Sequence, residues 1–165
     1  MTRMRQLVDW SAALWAGLLA GTIYLAVLVF VLPRFVEGNA WAMIRLLASI
    51  VLGEGILAPP ATYDLGALVA GVGAHYLLSI LFALLVATVL HRYGMVIGVL
   101  GGAVFGLALF AINAYGMTAV LPNFMVMQSL PFLLAHLLFG ALAGGIYEML
   151  EVEEFELIEA AAEAN

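Results

Sequence analysis

Four apolar stretches, each long enough to cross a lipid bilayer, constrain this chain more than any other feature. They cover residues 10–32, 65–90, 95–114 and 131–150. A helix rises about 1.5 Å per residue, so roughly 20 apolar residues cross a hydrocarbon core about 30 Å thick. Hydrophobic residues make up 66% of the chain and charged residues only 10%, which is more apolar surface than a soluble fold buries. The sequence therefore predicts an all-α integral membrane protein, with a four-helix transmembrane bundle in residues 1–150.

The stretch between the first two spans has a mixed composition. Residues 34–64 combine charged side chains with an apolar run that is too short to cross the bilayer. Glycines and prolines surround Glu54 and interrupt helical hydrogen bonding there. We expect a short interfacial or re-entrant segment between helices 1 and 2.

The two ends of the chain are short and oppositely charged. A basic leader, MTRMR, precedes the first span, whose length favours a retained membrane helix over a cleaved signal peptide. Residues 151–165, EVEEFELIEAAAEAN, form an acidic C-terminal tail that holds most of the net charge of −6. We expect this tail to be a solvated extension of the last helix.

Arginine positions predict the orientation, because cytoplasmic loops of membrane proteins are enriched in Lys and Arg. The chain contains no lysine, and all five cations are arginines. With four spans, Arg3, Arg5 and Arg92 lie on one side of the membrane and Arg34 and Arg45 on the other. This balance places both termini in the cytoplasm.

Glycine stripes mark helix-packing faces, because small residues four positions apart let membrane helices approach closely. The sequence has such stripes in the first, third and fourth spans: Gly17 and Gly21; Gly98, Gly102 and Gly106; Gly140 and Gly144. Aligning the first span with the third superimposes GLLAG on GVLGG, and aligning the second with the fourth superimposes His75 on His136. These matches predict two repeated helical hairpins related by an axis along the membrane normal. The alternative is a chance match between apolar sequences.

Each predicted span carries one inward-facing polar residue, and together these form a buried polar layer. The four residues are Tyr24, His75, Asn113 and His136. Helical spacing places them on the glycine-bearing faces, and a rise of about 1.5 Å per residue puts them at similar depth, in the half of the membrane away from the termini. Their simplest role is interhelical hydrogen bonding, which contributes about 0.6 kcal/mol per bond. Polar residues inside membranes are also candidates for function.

The histidine pair suggests a second interpretation, in which His75 and His136 are the axial ligands of a haem b. Bundle cores hold cofactors between facing helices, and imidazole is a common haem ligand. Two other groups carry less specific signals. Glu54 could exchange protons or cations, and Met95, Met117, Met125 and Met127 could bind Cu(I), although solvent exposure and apolar packing explain these residues more simply.

The expected function is non-enzymatic: a small structural or accessory subunit of a membrane assembly. The alternatives are a haem b redox subunit and a channel or transporter for a small solute. We expect the lipid bilayer, further copies of the chain or a larger membrane complex as partners, and no nucleic acid. The absence of cysteine excludes disulfides and thiolate metal sites. The plan of four short helices with glycine stripes resembles several groups of small uncharacterised bacterial inner-membrane proteins, and this resemblance implies a bacterial inner-membrane location without implying an activity.

Overall fold

A computed structural model describes residues 2–159 and confirms the all-α four-helix membrane architecture. Four helical stretches are long and apolar enough to cross a membrane: Trp10–Arg34, Leu65–Leu90, Gly94–Ala119 and Leu130–Leu150. The regular elements are β1 (Thr2–Gln6), α1 (Trp10–Ala26), α2 (Ala40–Leu52), α3 (Leu65–Leu90), α4 (Gly94–Ala111), α5 (Leu130–Leu150) and β2 (Phe155–Glu159). We call the side of the bundle that carries β1 and β2 the terminal side, and the opposite side the distal side.

Short polar side chains begin three of the helices. The carboxylates of Asp9 and Asp64 and the amide oxygen of Asn39 accept hydrogen bonds from backbone N–H groups three residues later, at 2.9, 2.7 and 3.0 Å. These caps satisfy donors that have no partner within the helix. Gly94, with φ of +74°, makes the tight turn between α3 and α4, a conformation that glycine adopts without strain. Local sequence therefore determines where α1, α2, α3 and α4 begin.

The first and third spans end in the same unusual way. After α1 the chain continues as a π-helical turn, Val27–Val31, and a 3-10 turn, Leu32–Arg34. After α4 it continues as a π-helical turn, Ile112–Gly116, and a 3-10 turn, Met117–Ala119. Both spans therefore extend further toward the distal side than the predicted boundaries.

The helices pack as two close pairs that share a central contact. α1 packs on α3, α4 packs on α5, and α1 packs on α5 between the two pairs. α3 and α4 contact each other little. Near their shared turn on the terminal side, Leu90 packs against Gly101. The bundle is therefore separated along the α3–α4 side.

Glycines make the α4–α5 contact possible. A Cβ atom at Gly102 would overlap the carbonyl oxygen of Gly140, and one at Gly106 would overlap that of His136. On α5, a Cβ atom at Gly144 would overlap the carbonyl oxygen of Gly98. The two backbones touch, so both stripes lie within one internal interface.

The α1–α3 contact uses the other predicted stripe in an equivalent way. Gly17 lies against Ile80 and Ala83, and Gly21 lies against Ser79. The sequence alignment places Gly21 opposite Gly102, and Ser79 opposite Gly140, so a contact in the first hairpin corresponds to a contact in the second. The shared contacts and shared π-helical turns both agree with two repeated hairpins.

The segment between the first two spans folds as a short helix and a returning loop. α2 has 13 residues and packs on α3, with Ile44 and Ala48 against Gly71. The Arg45 guanidinium donates to the backbone carbonyls of Ile56, Ala58 and Thr62 at 3.1, 3.1 and 3.2 Å. One cation thus satisfies three loop carbonyls and fixes the loop beside α2.

The expected helical extension of the acidic tail is wrong. Within the described part of the tail, Phe155–Glu159 forms β2 and pairs antiparallel with β1, with Arg5 opposite Glu156 and Gln6 opposite Phe155. Residues 160–165 of the predicted tail lie outside the described residues. The helix ends at Leu150 because the following backbone finds its hydrogen-bond partners in the N-terminal strand. This pairing also shows that both ends of the chain meet on one side of the bundle.

Candidate functional site

His136 is the centre of a hydrogen-bonded cluster inside the bundle. It lies on α5 and is fully buried. Its Nδ1 donates to the carbonyl oxygen of Phe132 at 2.7 Å, since a carbonyl oxygen can only accept. The Tyr24 hydroxyl lies 3.1 Å from both ring nitrogens, and the Asn113 Nδ2 lies 3.1 Å from Nε2. Because the Nδ1 proton points to Phe132, Nε2 is the acceptor of the neutral imidazole. Tyr24 and Asn113 therefore both donate toward His136.

Irregular helix geometry presents Tyr24 and Asn113 to His136. Tyr24 lies in the last turn of α1, immediately before the π-helical turn, and its ring stacks on Phe139 of α5 with centroids 5.0 Å apart. Asn113 lies within the π-helical turn that follows α4. A π-helical turn adds a residue and rotates the side chains, and such turns are frequent at functional sites.

His75 joins the same cluster from α3. Its Nε2 donates to the carbonyl oxygen of Gly21 at 2.8 Å, and its ring lies beside that of Tyr24 with centroids 5.7 Å apart. Ser79, one turn further along α3, is buried and its hydroxyl lies 3.5 Å from the same nitrogen. The structure therefore brings all four predicted layer residues together, with Tyr24 between the two histidines.

A cavity of about 410 Å³ adjoins this cluster on the separated α3–α4 side. Its polar lining consists of Tyr24, His75, Ser79 and Asn113. The remaining lining is apolar and comes from all four spans, α2 and the 3-10 turn Pro122–Met127: Leu28, Leu47, Ile50, Leu78, Leu81, Phe82, Leu85, Leu109, Ile112, Met117, Phe124, Met127 and Phe139. The cavity is therefore an apolar space with a few convergent polar groups, a pattern typical of small-molecule sites. We call it the α3–α4 cleft.

The α3–α4 cleft opens toward the surrounding lipid. Its rim residues Leu81 and Ile112 are 51% and 58% exposed, on the faces of α3 and of the π-helical turn after α4 that would contact acyl chains. α2 and the 3-10 turn Pro122–Met127 contribute lining at the distal end. No residue between 86 and 108 lines the cleft, so it does not reach the α3–α4 turn.

The two histidines do not fit as axial ligands of one haem in this arrangement. Bis-histidine ligation needs the two imidazoles to face each other across the macrocycle. Here the Tyr24 ring lies between them, with centroids 5.7 Å from His75 and 5.3 Å from His136. The Nε2 of His75 also carries the proton that it donates to Gly21, which prevents it from binding iron in that tautomer.

The remaining predicted candidates lie apart from this cluster. Glu54 is exposed at the start of a 3-10 turn. Met117 and Met127 line the cleft, whereas Met95 and Met125 are 42% and 60% exposed, so the four thioethers do not converge on one site. Within residues 2–159, no group of three or more His, Cys, Asp or Glu side chains could hold a metal ion.

A second polar cluster, on the terminal side, has no clear sequence signal. The Gln6 side-chain amide donates to the Glu151 carboxylate at 2.6 Å, and the Asp9 carboxylate accepts from the backbone N–H of Val152 at 3.1 Å. The backbone N–H of Asp9 donates to the buried Tyr147 hydroxyl at 3.3 Å. We call these contacts, with the β1–β2 pairing, the terminal clasp. The charges of the two ends are the only hint in the sequence that they meet.

Hydrogen bonds and burial shift two carboxyl groups of the terminal clasp in opposite directions. The backbone N–H of Ala12 stabilises the charged form of Asp9 and lowers its pKa below the ordinary value. Burial raises the pKa of Glu151, more than the hydrogen bond from Gln6 and the nearby His91 lower it. Folding therefore favours the charged form of Asp9 and the neutral form of Glu151, so the two carboxyl groups make the stability of the clasp change with pH in opposite directions.

Comparisons with family models, curated proteins and solved structures give no match to this chain. The candidate site is accordingly defined by its own geometry.

Proposed function

We propose that this protein is a non-enzymatic membrane protein that binds a small amphiphilic molecule, taken from the bilayer, in the α3–α4 cleft. The observation that carries this proposal is the combination of an apolar cavity of about 410 Å³ with a polar cluster at its inner wall. Cavities of roughly 300–1,000 Å³ with few, convergent polar groups are typical of ligand sites. An apolar tail would replace lipid contacts along Leu81 and Phe82, and a polar end would reach Tyr24, His75 and Asn113.

A second groove on the bundle supports the assignment by contrast. Its volume is similar, about 400 Å³, and it lies between the distal ends of α1 and α5. All of its lining residues are apolar: Val27, Val31, Leu32, Phe35, Leu130, Pro131, Leu134, Ala135 and Leu138. Acyl chains of bulk lipid suffice to fill such a groove. Of these two apolar spaces, the α3–α4 cleft is the one with polar side chains in its lining, which gives a reason for specific binding.

The other two expected functions have less structural support. The glycine stripes, which suggested contacts with further subunits, face neighbouring helices within the bundle at Gly21, Gly102 and Gly140. A pore would need a continuous polar path, and the cleft is lined by no residue between 86 and 108. We therefore place the protein's activity in ligand binding and not in conduction.

The test is photoaffinity labelling of the protein in nanodiscs with a diazirine analogue of the isoprenoid alcohol farnesol. Labelled peptides should map to the part of α3 and α4 that lines the cleft. Ile112→Trp places an indole at the rim of the cleft, and overpacking of this kind costs about 1–3 kcal/mol. We expect labelling to fall by about fivefold or more.

Val104→Trp is the matched control. Val104 lies on the same helix, is 66% exposed and does not line the cleft, so the added indole should leave labelling unchanged. Equal labelling of the wild type and Ile112→Trp, or labels spread evenly over the lipid-facing surface and the apolar α1–α5 groove, would overturn the proposal.

A further inference from the structure

The hydrogen-bond roles within the cluster determine which polar groups the cleft can offer a ligand. His136 Nδ1 donates to Phe132, so Nε2 is the acceptor, and its one lone pair is shared by the Tyr24 hydroxyl and the Asn113 amide. The Tyr24 hydroxyl proton is therefore directed at His136, and the lone pairs of its oxygen remain. Tyr24 consequently faces a ligand as an acceptor.

The same network orients the Asn113 side chain. Its Nδ2 must point at the accepting Nε2 of His136, at 3.1 Å, which turns Oδ1 away from His136. Oδ1 makes no hydrogen bond within residues 2–159, and it is not one of the polar atoms in that range that are both buried and without a hydrogen-bond partner. It is therefore an accessible acceptor on a residue that lines the cleft.

His75 supplies a third acceptor. Its proton is on Nε2, which donates to the carbonyl oxygen of Gly21, so Nδ1 carries a lone pair. Within the described residues Nδ1 has no hydrogen-bond partner, and it is not one of the polar atoms that are fully buried. Of the four polar residues that line the cleft, only Ser79 carries a hydroxyl whose proton is free to turn toward a ligand.

We infer that the α3–α4 cleft selects molecules whose polar end donates hydrogen bonds, namely alcohols and phenols, over aldehydes, ketones and ethers of the same apolar body. The three acceptors with a free lone pair on residues that line the cleft are the Tyr24 oxygen, the Asn113 Oδ1 and the His75 Nδ1. A carbonyl or ether ligand would leave these acceptors unpaired in an apolar space, which is costly. A cationic donor is disfavoured because no acidic side chain lines the cleft. This inference rests on the proposed function and specifies its ligand class.

The test measures competition for the photoaffinity label by three compounds with one apolar body: farnesol, farnesal and farnesyl methyl ether. The alcohol donates and accepts, the aldehyde is slightly smaller and only accepts, and the ether is larger and only accepts. We expect farnesol to displace the label at about three- to tenfold lower concentration than either of the others, the effect of one added hydrogen bond. Agreement between the aldehyde and the ether removes size as the explanation.

Two variants connect this preference to the cluster. Asn113→Leu removes an acceptor and should reduce the preference for farnesol to about twofold or less. Thr22→Val is the control, because Thr22 hydrogen-bonds Tyr76 at 2.9 Å and does not line the cleft, so it should keep the full preference. If Asn113→Leu does not fold, the comparison of the three compounds on the wild type still tests whether the cleft prefers hydrogen-bond donors.

The outcomes separate this inference from the proposed function. Equal displacement by all three compounds, or stronger displacement by farnesal, would overturn the donor preference while leaving the cleft as a binding site. If the label maps outside the cleft and none of the three compounds displaces it, both the donor preference and the proposed ligand-binding function would be overturned.

Discussion

At the scale of single residues, His136 illustrates how a polar side chain becomes stable inside an apolar bundle. Its two ring nitrogens have partners on three different segments: Phe132, Tyr24 and Asn113. A buried polar group without partners costs about 1–3 kcal/mol, so this network offsets the burial of the imidazole. The same partners also fix its tautomer, and through it the acceptor character of the cleft. A structural role and a binding role therefore depend on the same hydrogen bonds.

Glu151 provides a residue-scale prediction about pH. Burial raises its pKa in the folded protein above the ordinary value of 4.5, so the charged form is less stable when folded than when unfolded. Wild-type stability should therefore fall as pH rises from below 4.5 through the folded pKa. Glu151→Gln keeps an oxygen acceptor for Gln6 and removes the charge. We expect this variant to match the wild type at pH 4 and to be more stable at pH 7, with a higher Tm. The gain in unfolding free energy should be no more than about 1 kcal/mol, because the group is partly exposed.

Thermal unfolding in detergent at several pH values measures this effect. Glu154→Gln removes the same charge from an exposed position nearby and controls for net charge. A Tm of Glu151→Gln that lies below that of the wild type at pH 7 would show that the carboxylate stabilises the terminal clasp.

At the scale of elements, contact between backbones distinguishes α4 and α5 from the rest of the bundle. Lipid chains are as apolar as leucine, so close van der Waals packing and not hydrophobicity drives membrane helices together. The glycines at 102, 106 and 140 allow the α4 and α5 backbones to touch. α3 and α4 lack such an interface, although they are neighbours in sequence and joined by a tight turn. The α3–α4 cleft follows from this unequal packing.

Gly102→Leu tests the α4–α5 interface. A side chain there overlaps the backbone of Gly140, which cannot move aside without separating the helices. We expect a loss of about 3 kcal/mol or more in stability. Gly73→Leu is the matched control, because nothing lies within 4 Å of a Cβ atom built at that helical glycine. Detergent unfolding curves that shift equally for the two variants would contradict the assigned interface.

At the scale of the whole molecule, the arrangement of the ends fixes the relative topology. β1 pairs with β2, and Asp9 bonds to Val152, so the two ends of the described part of the chain, Thr2 and Glu159, lie on one side. An even number of spans requires the same result. Arg3, Arg5 and Arg92 belong to this side, against Arg34 and Arg45 on the distal side, where Arg45 is occupied by loop carbonyls. We propose that the terminal side is cytoplasmic, in a bacterial inner membrane, because arginines are retained on the cytoplasmic side.

Single cysteines test this orientation, and the chain has none of its own to interfere. Tyr63 and Tyr93 are 60% and 56% exposed at opposite ends of α3, so Tyr63→Cys and Tyr93→Cys form a matched pair. A membrane-impermeant maleimide added to intact cells should label Tyr63→Cys only. Both variants should be labelled after lysis. The reverse pattern on intact cells would invert the assigned orientation.

Sequence alone determined the features that depend on neighbouring residues. Apolar length predicted the four spans, since crossing a hydrocarbon core is a requirement on each segment separately. Helical spacing placed Tyr24, His75, Asn113 and His136 on inward faces, because side-chain direction in a helix is a local property. The turn at Gly94 followed for the same reason.

Tertiary structure decided which of these faces meet. The acidic tail pairs as a strand because its partner is the N-terminal segment, nearly the whole chain away, and no local pattern encodes that distance. The separation of α3 from α4 likewise depends on contacts that are distant in sequence, since α3 packs mainly on α1 and α2 and α4 packs mainly on α5. The sequence therefore specified the polar residues and the helix faces that carry them, whereas the packing of non-adjacent helices brought them together beside an open cleft.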